Sequence, residues 1–128
     1  MVAVFDTNIL VDLLRKQREA PAKILIYTEI YIPTIVVGEL LFGASITVKP
    51  AESRSDVMTL LNKGILLDAN IGVAEAYVEV RKHLQIQGKP IPENDLWIAA
   101  TAHAHGLKLV TRDQHFSNID FLNVEFWK

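Results

Sequence analysis

The sequence predicts a three-layer α/β/α sandwich around a central parallel sheet of four to five strands. Short apolar runs rich in β-branched residues alternate with segments of helical periodicity, and strands separated by helices pair in parallel through right-handed crossovers. Half of the residues are hydrophobic and the mean hydropathy is +0.21, as expected for a sheet covered on both faces. The length of 128 residues suits one domain, covering residues 1–128.

The first strand and the helix after it are the clearest elements. Val2–Phe5 is a continuous apolar run, typical of a central strand buried on both faces. We expect Thr7 or Asn8 to cap a helix over residues 9–16, because short polar side chains satisfy the free N–H groups of a first turn. A second helix is predicted at residues 20–28.

The middle of the chain repeats this alternation. Residues 30–32 predict a short strand, and Thr34 is expected to cap a helix over residues 34–46. A further helix at 51–62 leads into a strand at 65–67. The pattern therefore continues as strand, helix, helix, strand.

The last part of the chain begins at Asp68, which we expect to cap a long helix over residues 71–87 ended by Gly88. Residues 89–92 contain two prolines and predict a rigid connection. The remaining predicted elements are a helix at 93–105, a strand at 107–110, one helical turn at 114–117 and an edge strand at 124–126.

Composition excludes several classes of function. The chain has no cysteine, so disulfides, thiolate metal sites and cysteine nucleophiles are excluded, and any metal must use oxygen or imidazole ligands. The net charge of -2 is not that of a general nucleic-acid binder. No window approaches the apolar length of a membrane span, and an acidic residue interrupts the N-terminal segment where a secretory signal needs an apolar centre. We therefore expect a cytoplasmic protein without membrane contact.

Three apolar segments each carry one isolated carboxylate. They are Asp6 in residues 1–11, Glu39 in residues 30–48 and Asp95 in residues 94–107. A charged side chain is almost never buried unless it is paired, and these segments contain no lysine or arginine. Asp113 follows the strand predicted at 107–110, and ligands of parallel sheets bind beyond the carboxyl ends of the strands. The four acids therefore predict one shared acidic pocket.

An acidic pocket of this kind suits a hard divalent cation such as Mg²⁺ or Mn²⁺, which prefers carboxylate oxygens, water and substrate phosphate. Such an ion activates water and neutralises charge on a phosphodiester. The residues thus favour metal-assisted phosphodiester hydrolysis.

Four motifs in the chain resemble those of the PIN-domain ribonucleases, and more narrowly the VapC-like toxins of toxin–antitoxin pairs. They are Asp6–Thr7–Asn8–Ile9–Leu10, Glu39–Leu40, Asn94–Asp95–Leu96–Trp97–Ile98–Ala99–Ala100 and Thr111–Arg112–Asp113–Gln114–His115–Phe116. The resemblance covers nearly the whole chain, in the order and size of the family, and it implies a PIN-like fold.

The resemblance also implies roles for particular residues. The catalytic and metal-binding acids would be Asp6, Glu39, Asp95 and Asp113. Thr7, Asn8 and Thr111 would hydrogen-bond to these acids. Arg112 and His115 flank Asp113 and are candidates to contact substrate phosphate, although a surface role explains them equally well.

The family implies an Mg²⁺- or Mn²⁺-dependent endoribonuclease that acts as a homodimer on tRNA or rRNA. A small cognate antitoxin would cover the toxin and block its pocket. An alternative function is a non-catalytic regulatory module whose acidic pocket receives a basic segment of the antitoxin. Phosphotransfer at Asp6 is a third hypothesis, which the lack of a lysine at a strand exit disfavours.

The same residues also have structural interpretations that involve no function. Asp6, Asp95 and Asp113 occupy positions where a helix cap is also favourable. Glu39 has no capping role in the middle of a helix, and a salt bridge to a distant basic residue is its alternative. Asp12 is expected to be solvated or peripheral.

Overall fold

The structure is a computed structural model that describes residues 1–128, and it contains one parallel sheet of five strands. The strands are β1 (Val2–Phe5), β2 (Glu29–Pro33), β3 (Ile65–Leu67), β4 (Leu109–Thr111) and β5 (Val124–Phe126). The helices are α1 (Thr7–Arg15), α2 (Ala20–Lys23), α3 (Thr34–Ser45), α4 (Pro50–Asn62), α5 (Ile71–Gln87) and α6 (Glu93–Ala104). Two short 3₁₀ segments cover Ile24–Ile26 and Gln114–Asn118. The predicted α/β/α class is confirmed.

The strand order is β3-β2-β1-β4-β5, with every neighbouring pair parallel. The chain first steps from β1 outward to β3 and then returns to β4 on the other side of β1. Right-handed crossovers in opposite directions place their helices on opposite faces of the sheet. The strand order therefore reverses between β1 and β4, which is where parallel sheets open a crevice for ligands.

The centre of the core is β1 and the start of α1. Ala3, Val4 and Phe5 are all fully buried, so both faces of the strand are covered. The ring of Phe5 meets Tyr27 and Trp127 edge-on, with centroids 5.0 and 6.1 Å apart. Trp127 is therefore a core residue. No helix is long and apolar enough to cross a lipid bilayer.

Three predicted helix caps are wrong. Asp6, and not Thr7 or Asn8, caps α1, with its carboxylate accepting from the Thr7 N–H at 2.8 Å. The cap of α5 is Asn70, whose side chain accepts from the N–H of Val73, because Asp68 stands too far before the first helical residue. The N-cap position of α3 is likewise taken by Pro33.

Two predicted boundaries also differ. The helix expected at residues 20–28 is α-helical only to Lys23 and tightens to 3₁₀ at Ile24–Ile26, after which Tyr27 takes an extended conformation and enters the core. The fourth strand begins at Leu109 and not at residue 107, because its register with β1 starts at the pair Val4 and Leu109. The edge position predicted for the last strand is confirmed.

Candidate active site

Two of the four predicted site acids follow the adjacent strands β1 and β4. The backbone N–H of Asp6 donates to the carbonyl of Val110 at 2.9 Å, which continues the pairing of the two strands beyond β1. The Thr111 hydroxyl then donates to Asp6 Oδ2 at 2.7 Å and accepts from the Asp113 N–H at 2.9 Å. A single buried threonine thus links the two acids.

The other two acids come from helices. Glu39 lies midway along α3, and Asp95 lies in the first turn of α6. The Thr7 hydroxyl donates to Glu39 Oε1 at 2.6 Å, which ties the start of α1 to α3. The structure therefore gathers side chains from four separate elements at the carboxyl end of the sheet.

Asp95 is the member with a strongly shifted pKa. Burial, followed by the negative charges of Asp6, Asp113 and Glu39 in that order of size, raises its pKa to about 6, while His115 opposes them. Because charges act on one another mainly at short range, these interactions indicate that the four acids lie near one another.

Asp6 is almost fully buried, with 4% of its surface exposed. Burial raises its pKa, hydrogen bonds from Thr111 and Thr7 lower it, and the charges of Glu39 and Asp113 raise it again. Asn8 adds a third donor, with its amide nitrogen 3.2 Å from Asp6 Oδ2. Neutral donors thus hold this carboxylate in place without cancelling its charge.

The pocket has no lysine or arginine partner. Asp6, Glu39 and Asp95 form no salt bridge, so the distant basic partner considered for Glu39 is absent. Asp113 pairs only with the exposed His115, whose Nδ1 lies 2.9 Å from Asp113 Oδ1. The pocket therefore concentrates uncompensated negative charge in a partly desolvated place, which favours a bound cation.

The donor set fits a divalent cation in its chemistry, because carboxylate oxygens are the ligands that Mg²⁺ and Mn²⁺ prefer. As the side chains stand, no three Asp, Glu or His residues converge closely enough to ligate one ion. The acids interact through their charge and repel one another, so a cation would have to draw the carboxylates together. Their role as ligands stays a prediction.

The residues expected to support the acids all contact them. Thr7, Asn8 and Thr111 each donate a side-chain hydrogen bond to Asp6 or Glu39. Arg112 behaves differently, because its guanidinium turns away to Asp12, with Nε 2.7 Å from Asp12 Oδ2. A contact between Arg112 and substrate therefore stays a prediction that requires this pair to open.

Asp12 is the residue that sequence reasoning missed. It was expected to be solvated or peripheral, which is wrong, since it is 2% exposed and bound by both Arg112 and Arg18. The available signal was its spacing of one helical turn from Asn8, which places both side chains on the face of α1 that contacts Arg112. Its partners are distant in sequence and could not be found from spacing.

Several polar and aromatic residues on and beside α6 have partners outside the pocket. Glu93 accepts from the Tyr77 hydroxyl and pairs with Arg81, and Trp97 stacks on Tyr77 with centroids 4.2 Å apart. The two histidines of α6 have separate partners, because His103 pairs with Glu79 on α5 whereas His105 contacts a carbonyl of its own helix.

The strand order of the parallel sheet reverses between β1 and β4, and the acids lie beyond the carboxyl ends of these two strands. The protein is therefore of the α/β/α class with an anionic site at the strand-order reversal. The chain belongs to the PIN domain family, whose match spans residues 3–122. Within that family it is a VapC-like protein.

The relatives agree over almost the full length. Ribonuclease VapC2 of Rickettsia felis is 31% identical over 132 residues, covering 99% of this chain and 98% of its own. Toxin FitB of Neisseria gonorrhoeae is 31% identical over 120 residues, covering 86% of each chain. Among solved structures, VapBC2 of Rickettsia felis bound to a DNA fragment from its promoter aligns over 100% of both chains, with a TM-score of 0.92 and 29% identity.

Proposed function

We propose that this chain is the endoribonuclease toxin of a toxin–antitoxin pair and hydrolyses RNA phosphodiester bonds with Mg²⁺ or Mn²⁺ as cofactor. The observation that carries the proposal is the pocket of four carboxylates with no lysine or arginine partner. The relatives named as ribonuclease and toxin support the same activity. In this function Asp6, Glu39, Asp95 and Asp113 hold the cation.

The polar residues around the acids keep them in place for this task. Thr111 holds Asp6 and the backbone of Asp113 together, and Thr7 holds Glu39. When bound, the cation supplies Lewis acidity toward a phosphodiester oxygen and an attacking water. It also relieves the repulsion that raises the pKa of Asp95, and converts a pocket that repels RNA into one that attracts it.

His115 is the first candidate for contact with the substrate. Its side chain is exposed beside Asp113 and is free to meet a phosphate at the mouth of the pocket. The proposed substrate is tRNA or rRNA, and the place of action is the cytoplasm, where both are found.

The proposed antitoxin would bind beside Glu39. A cleft between α1, α3 and α4 is lined by apolar side chains such as Leu14, Leu40 and Val57, with Glu39 at its edge. An apolar segment of a partner fits this cleft. A basic residue on that segment would form a bidentate pair with the acids. The solved structure of VapBC2 bound to promoter DNA supports a cognate antitoxin as the partner.

A homodimer is the proposed assembly, and α5 offers the surface for it. Ile71, Val78 and Ile86 lie on one stripe of this helix and are 76%, 55% and 84% exposed. Glu75 and Lys82 share the stripe and form no salt bridge within the chain. An antiparallel pairing of two α5 helices brings Ile71 to Ile86 and Glu75 to Lys82 of the second copy.

The experiment is cleavage of total tRNA and rRNA by the purified chain in Mn²⁺, in Mg²⁺ and in EDTA. Asp95→Asn is tested in parallel, with Asp68→Asn as the matched control because Asp68 is exposed and outside the pocket. Discrete fragments that need metal and Asp95, but not Asp68, support the proposal. Folded protein that cleaves neither RNA with either metal refutes it and favours the non-catalytic regulatory module.

A further inference from the structure

An ion cluster centred on one buried carboxylate lies next to the acidic residues, between α1 and the turn after β4. Asp12 on α1 is 2% exposed, and its two oxygens are shared by two arginines. Arg112 places Nε 2.7 Å from Oδ2 and a terminal nitrogen 3.4 Å from Oδ1, and Arg18 places a terminal nitrogen 3.0 Å from Oδ1. We call these three residues the Asp12 clamp.

Arg112 is the arginine nearest to the pocket along the chain, because it stands between Thr111 and Asp113. Its backbone N–H donates to Asn8 Oδ1 at 3.3 Å, and the amide nitrogen of the same Asn8 donates to Asp6 Oδ2. The backbone of Arg112 is thus two hydrogen bonds away from Asp6. Its guanidinium nevertheless forms no salt bridge with any of the four acids.

The placement of this guanidinium decides what the pocket can bind. Four carboxylates without a basic partner attract any cation within reach, and a guanidinium is a good bidentate partner for a carboxylate. An arginine released at position 112 would compete with a divalent cation for the same oxygens. Asp12 removes this competitor by binding it in a buried, two-point contact on the other side of the turn.

We propose that Asp12 is a positioning residue, which holds the Arg112 guanidinium out of the acidic pocket and thereby keeps the pocket open to a divalent cation. The inference rests on the proposed function, since it assumes that the four acids bind metal. It assigns Asp12 no contact with metal or substrate.

The second arginine of the clamp serves a different purpose. Arg18 lies on a turn in which Lys16, Arg18 and Glu19 all have positive φ, which is uncommon for residues other than glycine. Its contact with Asp12 Oδ1 anchors this turn and satisfies the second oxygen of a buried carboxylate. Losing Arg18 leaves Asp12 free to hold Arg112 alone, so Arg18→Gln is the matched control.

The test measures Mn²⁺ binding by isothermal titration calorimetry, without RNA. Asp12→Asn releases Arg112 and is expected to weaken Mn²⁺ binding about 10- to 100-fold, the range typical of residues that support metal ligands. Asp12→Asn combined with Arg112→Gln removes the competitor and is expected to restore binding to near the wild-type value. Arg18→Gln is expected to bind Mn²⁺ as the wild type does.

Thermal melts of the same variants separate positioning from a structural role, because removing both members of an ion pair can also restore stability. Positioning predicts that Asp12→Asn loses Mn²⁺ binding at a temperature well below its melting temperature, and a loss of binding that only follows unfolding overturns the inference. Unchanged Mn²⁺ binding in Asp12→Asn, or a double variant as weak as the single one, overturns the inference. Wild-type protein that binds no Mn²⁺ overturns the proposed function itself, and this inference with it.

A measurement on the wild type covers the case in which Asp12→Asn does not fold. In the metal-free protein, the Nε–H of Arg112 is expected to exchange slowly with water in nitrogen-15 NMR spectra, because it is bound to a buried carboxylate. Fast exchange at this group, or a contact between its guanidinium and the side chain of Asp6 or Asp113, overturns the inference.

Discussion

At the scale of single residues, one carboxylate can both cap a helix and form part of the acidic site. Asp6 Oδ1 accepts the N–H that caps α1, while Oδ2 accepts from Thr111 and Asn8. Asp113 likewise accepts the N–H of His115 at the start of a 3₁₀ segment. A capping pattern in the sequence therefore does not argue against a binding role for the same residue.

Replacing Asp95 separates activity from stability. Asp95→Asn keeps the shape of the side chain but removes one charge of the proposed metal site, and RNA cleavage is expected to fall by more than about 100-fold, beyond the loss typical of residues that only support ligands. Gel-based cleavage assays in Mn²⁺ measure this. Cleavage within a few-fold of the wild type would contradict the role of Asp95, and Asp68→Asn is the control that should retain activity.

The same substitution is expected to stabilise the metal-free protein in a pH-dependent way. The pKa of Asp95 is about 6 in the folded chain against an ordinary value of 3.8, so the folded state holds the proton more tightly. Its contribution to stability is therefore present below pH 3.8 and is lost as pH rises through about 6. The Asp95→Asn protein does not lose this stability as pH rises, because asparagine does not ionise.

Thermal melts in EDTA measure this difference. The melting temperature of Asp95→Asn minus that of the wild type should be small near pH 4 and grow until about pH 7. Asp68→Asn should show no such trend. A difference that stays constant across this pH range would show that Asp95 does not carry the raised pKa.

At the scale of elements, the site depends on short strands and on one close contact between them. β4 has only three residues, yet it ends on the Thr111 that binds Asp6. At the entrance to β3, a Cβ added to Gly64 would lie 2.7 Å from Ile32 Cδ1 and 3.1 Å from the Ile30 carbonyl oxygen. The glycine thus allows β3 to approach β2.

Gly64→Ala is therefore expected to lower the free energy of unfolding by about 1–3 kcal/mol, the usual cost of overpacking. Ile32 is fully buried and has little room to move. Urea denaturation followed by circular dichroism measures the change. The matched control is Gly38→Ala on α3, where an added Cβ meets nothing within 4 Å and helix propensity predicts a gain of about 0.5–1 kcal/mol. Equal effects of the two substitutions would refute the packing argument.

At the scale of the whole molecule, the net charge of -2 conceals a strong separation of charge. The carboxylates gather at the strand-order reversal, while the nearest arginine is held by Asp12 on the other side of the same turn. A nearly neutral chain can therefore carry a local site for a cation and its polyanionic substrate. The exposed stripe of α5 is the surface that we propose for a second copy.

Val78→Asp tests that assembly. It places a carboxylate at the centre of the proposed α5 interface, beside Glu75 and Glu79 of the same helix. Leaving a charge unpaired in an interface costs about 2 kcal/mol or more, so the dimer dissociation constant should rise at least about 30-fold. Analytical ultracentrifugation measures it. Leu25→Asp, at a still more exposed apolar residue away from α5, should leave the dimer intact. A Val78→Asp protein that dimerises normally would rule out this interface.

Much of the fold and of the candidate site could be predicted from the sequence. The apolar run Val2–Phe5, the helix Ile71–Gln87 with Gly88 after it, and the lone carboxylates Asp6, Glu39 and Asp95 are local signals that survive folding. Each reflects a constraint that acts on neighbouring residues: hydrophobic periodicity, helix termination and the cost of burying an unpaired charge. The class of fold and three of the four acids follow from these signals, and Asp113 follows from its place after the strand predicted at 107–110.

Only the tertiary structure decided which polar groups meet. Asn70 caps α5 in place of Asp68, because the helix begins at Ile71 and Asn70 is the residue within reach of the Val73 N–H. Asp12 meets Arg112 across 100 positions of sequence because β4 pairs beside β1 and brings its exit to α1. Such contacts depend on strand order and on distance in space, which no local pattern encodes. For that reason the sequence alone identified the acids, whereas the structure identified what holds the nearby arginine away from them.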